Sequence, residues 1–108
     1  MYLLKRQVRW RRTKMTKEIL KEKACAAIDA YADKIKAICA SINDEPELGF
    51  KEVKTAAKVA EFMRDLGLQP ETGLAINGVK GRAKGGKPGP TAAVLGELDA
   101  VAVRQARS

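Results

Sequence analysis

Thr91-Ala-Ala-Val-Leu-Gly-Glu-Leu-Asp-Ala-Val101 is the stretch on which the reading of this chain turns. Ala92, Ala93, Val94, Leu95, Gly96 and Leu98 are apolar or glycine, a pattern that suits a buried strand. Glu97 and Asp99 follow one residue apart at its end. Side chains two apart on an extended segment leave on the same face. Two carboxylates thus emerge together where a buried strand runs out, and α/β proteins keep ligand sites at such carboxyl ends. The stretch predicts the most central strand of a sheet with Glu97 and Asp99 as its candidate site residues.

Moving upstream, Gly85-Gly-Lys-Pro-Gly-Pro90 reads as a tight connection. A phosphate-binding reading of these glycines lacks the G-x-x-x-x-G-K-[ST] order and a following helix, so a hairpin loop is favoured. Val79 to Lys84 is a short polar strand candidate, Asn77-Gly78 a turn signal, and Leu68 to Ile76 a mixed extended stretch. A helix is predicted from about Phe50 to Leu66, with Val53, Ala57, Ala60 and Met63 marking its apolar face, widened by Ala56 and Phe62. Gly67 stands where a left-handed C-cap is wanted.

Further upstream, Ala24, Ile28, Tyr31, Ile35, Ile38 and Ile42 recur at helical spacing after a Thr16 cap, with Glu18 in the first turn. Asn43-Asp44-Glu45-Pro46 ends that helix, because the residue before proline avoids the α region. Packing of the stripe against a sheet or second helix is favoured over a coiled coil, and the short link predicts that the two helices are neighbours. The expected fold class is α/β: two N-terminal helices followed by the strands of a mixed sheet.

The 108 residues make one domain at most. No apolar run reaches the roughly 20 residues of a membrane span, and the start lacks a continuous apolar signal region. Cytoplasmic residence is the default expectation. The net charge of +8 is unevenly placed: residues 1–14 hold six basic residues and no acid, leaving +2 for the remainder. Residues 1–14 are expected to be a disordered basic extension, with Met15 an alternative start. The alternative is a small binding protein that uses this arm on nucleic acid or an acidic partner. A third reading is a helical interaction module built on the Ile28–Ile42 stripe. Cys25 and Cys39, fourteen positions apart in one predicted helix, stand about 21 Å apart, too far for a disulfide. With no histidine and no close cysteine pair, no metal ligand is assigned within this chain.

Three pieces together resemble the opening of the metal-dependent aminoacylase and carboxypeptidase family over roughly Ile28 to Val101. They are Pro46-Glu-Leu-Gly-Phe-Lys-Glu52 followed by Thr55, the Phe62–Gly67 helix end, and Lys87-Pro-Gly-Pro90 leading into Thr91–Val101. The nearest branch is the amidohydrolases of hippurate, indoleacetyl-amino acids and aminobenzoyl-glutamate. The resemblance implies the opening of a zinc-peptidase-like catalytic domain and a two-metal site of zinc or manganese that activates water with a glutamate base. It implies N-acyl amino acids or dipeptides as small-molecule substrates and homodimers among complete relatives, with no membrane partner and nucleic acid disfavoured.

Asp99 carries over as the carboxylate that orients a metal-binding residue from behind. Glu97 stands where peptidase relatives place a metal-binding histidine, and it is the second candidate. Asn43 replaces a histidine that many relatives place before the P-E-L motif. The Cys-x-His motif, the base glutamate and the histidine ligands of the family would lie beyond Val101 and are absent. The expectation is therefore an N-terminal portion of such a hydrolase, inactive alone: residues 15–101 begin the catalytic domain, and 102–108 form an irregular tail. Exposed strand edges predict aggregation.

Overall fold

The computed structural model describes residues 15–102. The basic extension 1–14 and residues 103–108 of the tail lie outside the described residues. The chain divides into two units, the first ending at Ile35 and the second beginning at Lys36.

In the first unit, α1 runs over Lys17–Ala30. Thr16 holds extended backbone, and its Oγ1 accepts the Ile19 amide at 3.2 Å. One of the donors left unpaired at a helix start is thereby satisfied, as the sequence predicts. Glu18 lies in the first turn. The single helix expected from Thr16 to Ile42 is instead two, because Tyr31 separates α1 from α2 (Ala32–Asp44). The Tyr31 amide is shared between the carbonyls of Ala27 and Ile28, 3.1 Å from each, which tightens the last turn of α1. Tyr31 is left at φ −98°, ψ 3°, and its own carbonyl accepts Ile35 N–H at 2.9 Å. The Lys34 ammonium sits 5.5 Å from the Tyr31 ring centroid. Within this unit Ile28, Tyr31 and Ile35 are exposed among the described residues.

The second unit is organised on α3 (Val53–Asp65). It starts three residues later than the apolar pattern suggests because Phe50 takes a left-handed φ of 63° and Lys51 N–H turns back to Leu48 O at 2.9 Å. Its end matches expectation. Gly67 has φ 82°, Gly67 N–H donates to Arg64 O at 2.9 Å, and Leu68 N–H donates to Met63 O at 3.0 Å. This paired closure is the Schellman arrangement, which glycine favours.

Ala60, Met63, Ala56 and Phe62 of the predicted face of α3 are turned inward, but its beginning departs from expectation. Val53 and Ala57 are exposed, whereas Thr55, outside the predicted face, is only 2% exposed and Val59 is half-buried. A hydroxyl with a hydrogen-bond partner, as Thr55 has, can be buried without penalty.

α3 packs on an antiparallel hairpin of β1 (Glu71–Leu74) and β2 (Gly78–Lys80). Glu71 pairs with Lys80 and Leu74 with Gly78, so β1 carries one extra residue. Gly73, at φ 71°, absorbs this bulge. The turn occupies Ala75–Asn77, one step before the predicted Asn77-Gly78 pair. Ala75 and Ile76 therefore take the left-handed φ values of 45° and 85°. Gly78 serves a different need: a Cβ there would stand 2.5 Å from Leu74 O. At the root of the hairpin a Cβ on Gly81 would lie 2.9 Å from Met63 Sδ, so glycine lets β2 leave against α3.

The described architecture is a mixed α/β arrangement of three helices and one two-stranded sheet. The central strand expected at Thr91–Val101 is not formed, and neither is the hairpin that Gly85–Pro90 would close. An apolar run becomes a strand only when a neighbour supplies ladder bonds. Among the described residues none pairs with it, and Val94 and Leu95 are 100% and 94% exposed. No described helix is long and apolar enough to cross a membrane.

Candidate functional site

The segment Pro46–Glu52 joins α2 to α3, and four parts of the second unit meet on it. Glu47 comes first. Its Oε1 accepts both Thr55 N–H at 2.6 Å and Thr55 Oγ1–H at 2.7 Å, and its Oε2 accepts Lys54 N–H at 3.1 Å. Glu52, the residue at the start of α3, makes no side-chain cap. Glu47 therefore caps the helix from outside, placing a carboxylate where the helix dipole favours negative charge. The Thr55 hydroxyl is the main cause that holds the Glu47 carboxyl below its ordinary value of 4.5, with the two backbone amides adding to it.

Glu45 and Glu52 flank this cap. Glu45 meets Lys54 at 2.9 Å and Lys58 at 3.4 Å. Lys58 Nζ also donates to Ser41 O at 2.8 Å, so a cation serves one of the last open carbonyls of α2. α2 and α3 do not pack on one another, contrary to the neighbouring helices predicted from the short link; this lysine is the one side-chain bond between them among the described residues. Glu45 is lowered by its hydrogen bond from Lys54, and Lys54 is raised by the same partner. Glu52 accepts Asn77 Nδ2–H at 3.2 Å, tying the hairpin turn to the segment. Its own backbone N–H is the leading cause of its lowered value, and Asn77 assists.

The fourth part is the predicted site itself. Ala100 N–H donates to Glu47 O at 2.7 Å, bringing the peptide after Asp99 onto the segment. A Cβ on Gly49 would be 3.9 Å from Asp99 Oδ2, so the carboxylate stands over the glycine of the P-E-L-G-F run. Glu97 and Asp99 are exposed while Leu98 and Ala100 are half-buried, which is the alternation of an extended segment. Glu97 lines an open cleft of about 510 Å³ with Phe50, Glu52, Met63, Asn77 and Val94. The structure thus places Asp99 on the Pro46–Glu52 segment and Glu97 in the adjoining cleft.

Sequence reasoning quoted Glu47 and Thr55 as motif letters and missed what they do. The available signal was an acid just ahead of a helix with a threonine in its first turn. Helix capping usually relies on the residue next to the helix, and this cap reaches over five residues to get there.

The donors present do not fit a two-metal centre. Glu97 and Asp99 offer oxygen only, the chain has no imidazole, and both thiols are free and exposed. Among the described residues no three acidic, thiol or imidazole groups gather to hold an ion.

The similarity of this chain to known proteins fits a peptidase- or amidohydrolase-like hydrolase family. It is 37% identical over 87 residues to both thermostable carboxypeptidase 2 and thermostable carboxypeptidase 1 of Saccharolobus solfataricus, covering 80% of this chain and 22% of each relative. Over 59 residues it is 39% identical to the Bacillus subtilis protein named "Putative amidohydrolase YhaA", covering 55% of this chain and 15% of that one. The chain spans about a fifth of the length of the carboxypeptidases it matches. No family model matches it, and neither does any solved structure.

Proposed function

We propose that residues 15–101 form the N-terminal part of the catalytic domain of a metal-dependent amidohydrolase or carboxypeptidase-like enzyme. Such an enzyme hydrolyses the amide bond of N-acyl amino acids or dipeptides, and these 108 residues alone do not turn over substrate. The observation that carries the reading is the similarity to two carboxypeptidases over 87 residues, which takes in most of the chain. The Asp99 carboxylate, set on the Pro46–Glu52 segment beside a cleft, supports it.

In this reading Asp99 orients a ligand supplied from elsewhere in the complete enzyme, by accepting its second hydrogen bond. Glu97 lines the cleft from the same extended segment.

The test is a zinc and manganese titration of the purified 108-residue chain, followed by assay on hippurate-like amides and dipeptides. The expected result is no stoichiometric metal and no hydrolysis. About one equivalent of tightly held zinc per chain would overturn the assignment of ligands, because a structural or catalytic site needs three or four donors. For the whole gene product, the expected result is zinc- or manganese-dependent hydrolysis that Asp99→Ala lowers about tenfold to a hundredfold.

A further inference from the structure

The stretch from Gly81 to Ala102 enters no helix or sheet. Among the described residues, its one backbone hydrogen bond to the remainder is Ala100 N–H to Glu47 O, at 2.7 Å. The residue that accepts this bond is the same one whose carboxylate is held on α3 by three hydrogen bonds from Lys54 and Thr55. Thr55, which donates two of these bonds, is 2% exposed, so its hydroxyl has little water to turn to. One residue therefore ties α3 by its side chain and the Asp99–Ala100 peptide by its main chain.

We propose that Glu47 is a positioning residue for Asp99, with Thr55 as the buried catch that holds it. This rests on the reading of Asp99 as a site carboxylate, although the coupling between the two ends of Glu47 is independent of that reading. Pro46 restricts the backbone on the near side of Glu47. On the far side, Gly49 passes against Asp99 Oδ2 and Phe50 turns left-handed at φ 63°. The carboxylate bonds hold Glu47 against α3, and its carbonyl holds the Asp99–Ala100 peptide from that place. When the carboxylate is free, Ala100 loses its acceptor and Asp99 its place over Gly49.

Amide hydrogen exchange by NMR on the full 108-residue chain tests this without any need for activity. Glu47→Ala and Thr55→Val are expected to lower protection of the Ala100 amide by about tenfold and to shift its resonance. Glu47→Gln, which keeps an acceptor oxygen for Thr55, is expected to restore most of both. Helix content by circular dichroism serves as the control. Ala100 exchange is to be read relative to amides in the middle of α3, so a general loss of structure is distinguishable from a released tether. Unchanged Ala100 protection and shift in both Glu47→Ala and Thr55→Val would overturn the proposal. So would an equal loss in Glu47→Gln and Glu47→Ala, because that would show that the hydrogen bond to Thr55 is not what holds the peptide. The hydrolase reading can fail in its own assay while Ala100 still responds, and the reverse also holds.

Discussion

Ile76 stands at φ 85° in the turn between β1 and β2, a conformation that crowds a β-branched side chain against its own backbone. It is 64% exposed, so it recovers little by burial. Ile76→Asn, which tolerates the left-handed region, is expected to raise stability by about 0.5–1 kcal/mol, measured by urea unfolding. Gly78 is the opposite case. A Cβ there meets a main-chain oxygen that cannot move aside cheaply, so Gly78→Ala is expected to lower stability by about 1–3 kcal/mol in the same assay. The pair shows why the Asn77-Gly78 signal was only half informative. The dipeptide marks a reversal, but close approach at Gly78 fixed the register one residue away from the turn its letters suggest.

At the level of elements, α3 and its cap explain the acid sensitivity expected of the second unit. Glu45 is held below 4.5 by the Lys54 ammonium, Glu47 by the Thr55 hydroxyl, and Glu52 by its own backbone N–H together with Asn77. A carboxylate with a lowered folded value binds fewer protons folded than unfolded, so it contributes stability that is complete above 4.5. That contribution is lost as pH falls through the folded value. The urea midpoint is therefore expected to hold steady down to about pH 5 and to decline below 4.5, and Glu47→Gln should flatten the decline. A midpoint that rises on acidification would contradict the sign.

Helix ends were the most legible elements, because Thr16, Glu18 and Gly67 act within four residues of themselves. The inward face of α3 was less so. Val53 and Ala57 fit an apolar stripe, yet Thr55 is buried in their place because its partner, Glu47, lies on another segment. The split at Tyr31 has no Gly or Pro to announce it, since it arises from the sharing of one amide between two carbonyls.

Across the whole second unit, the largest departure from sequence expectation is Thr91–Leu98. Composition identifies a strand, but a strand is a relation to a neighbour, and one-dimensional patterning is silent about which neighbour. Glu97 and Asp99 were singled out by their spacing at the end of the apolar run and again by the family resemblance; the anchorage of Asp99 through Glu47 needed three-dimensional placement. Val94 and Leu95, left nearly bare, are expected to drive self-association through unpaired backbone and apolar surface. Light scattering should show concentration-dependent growth in the parent chain, reduced in the double variant Val94→Lys with Leu95→Lys. A monodisperse parent with a cooperative melt would contradict this.

The single tether at Ala100 also determines where the described chain can be cut. A protease must draw several consecutive residues out into its own groove, and helices and paired strands resist this until they open. Between Gly81 and Asp99 nothing has to open first. Brief trypsin treatment should therefore cut the described region after Arg82 and Lys84 before any lysine of α1, α2 or α3, while Lys87 is shielded by the proline that follows it. The piece that survives would carry all three helices and the hairpin. The piece released would carry Glu97 and Asp99, so nicking parts the candidate site from the scaffold that holds it.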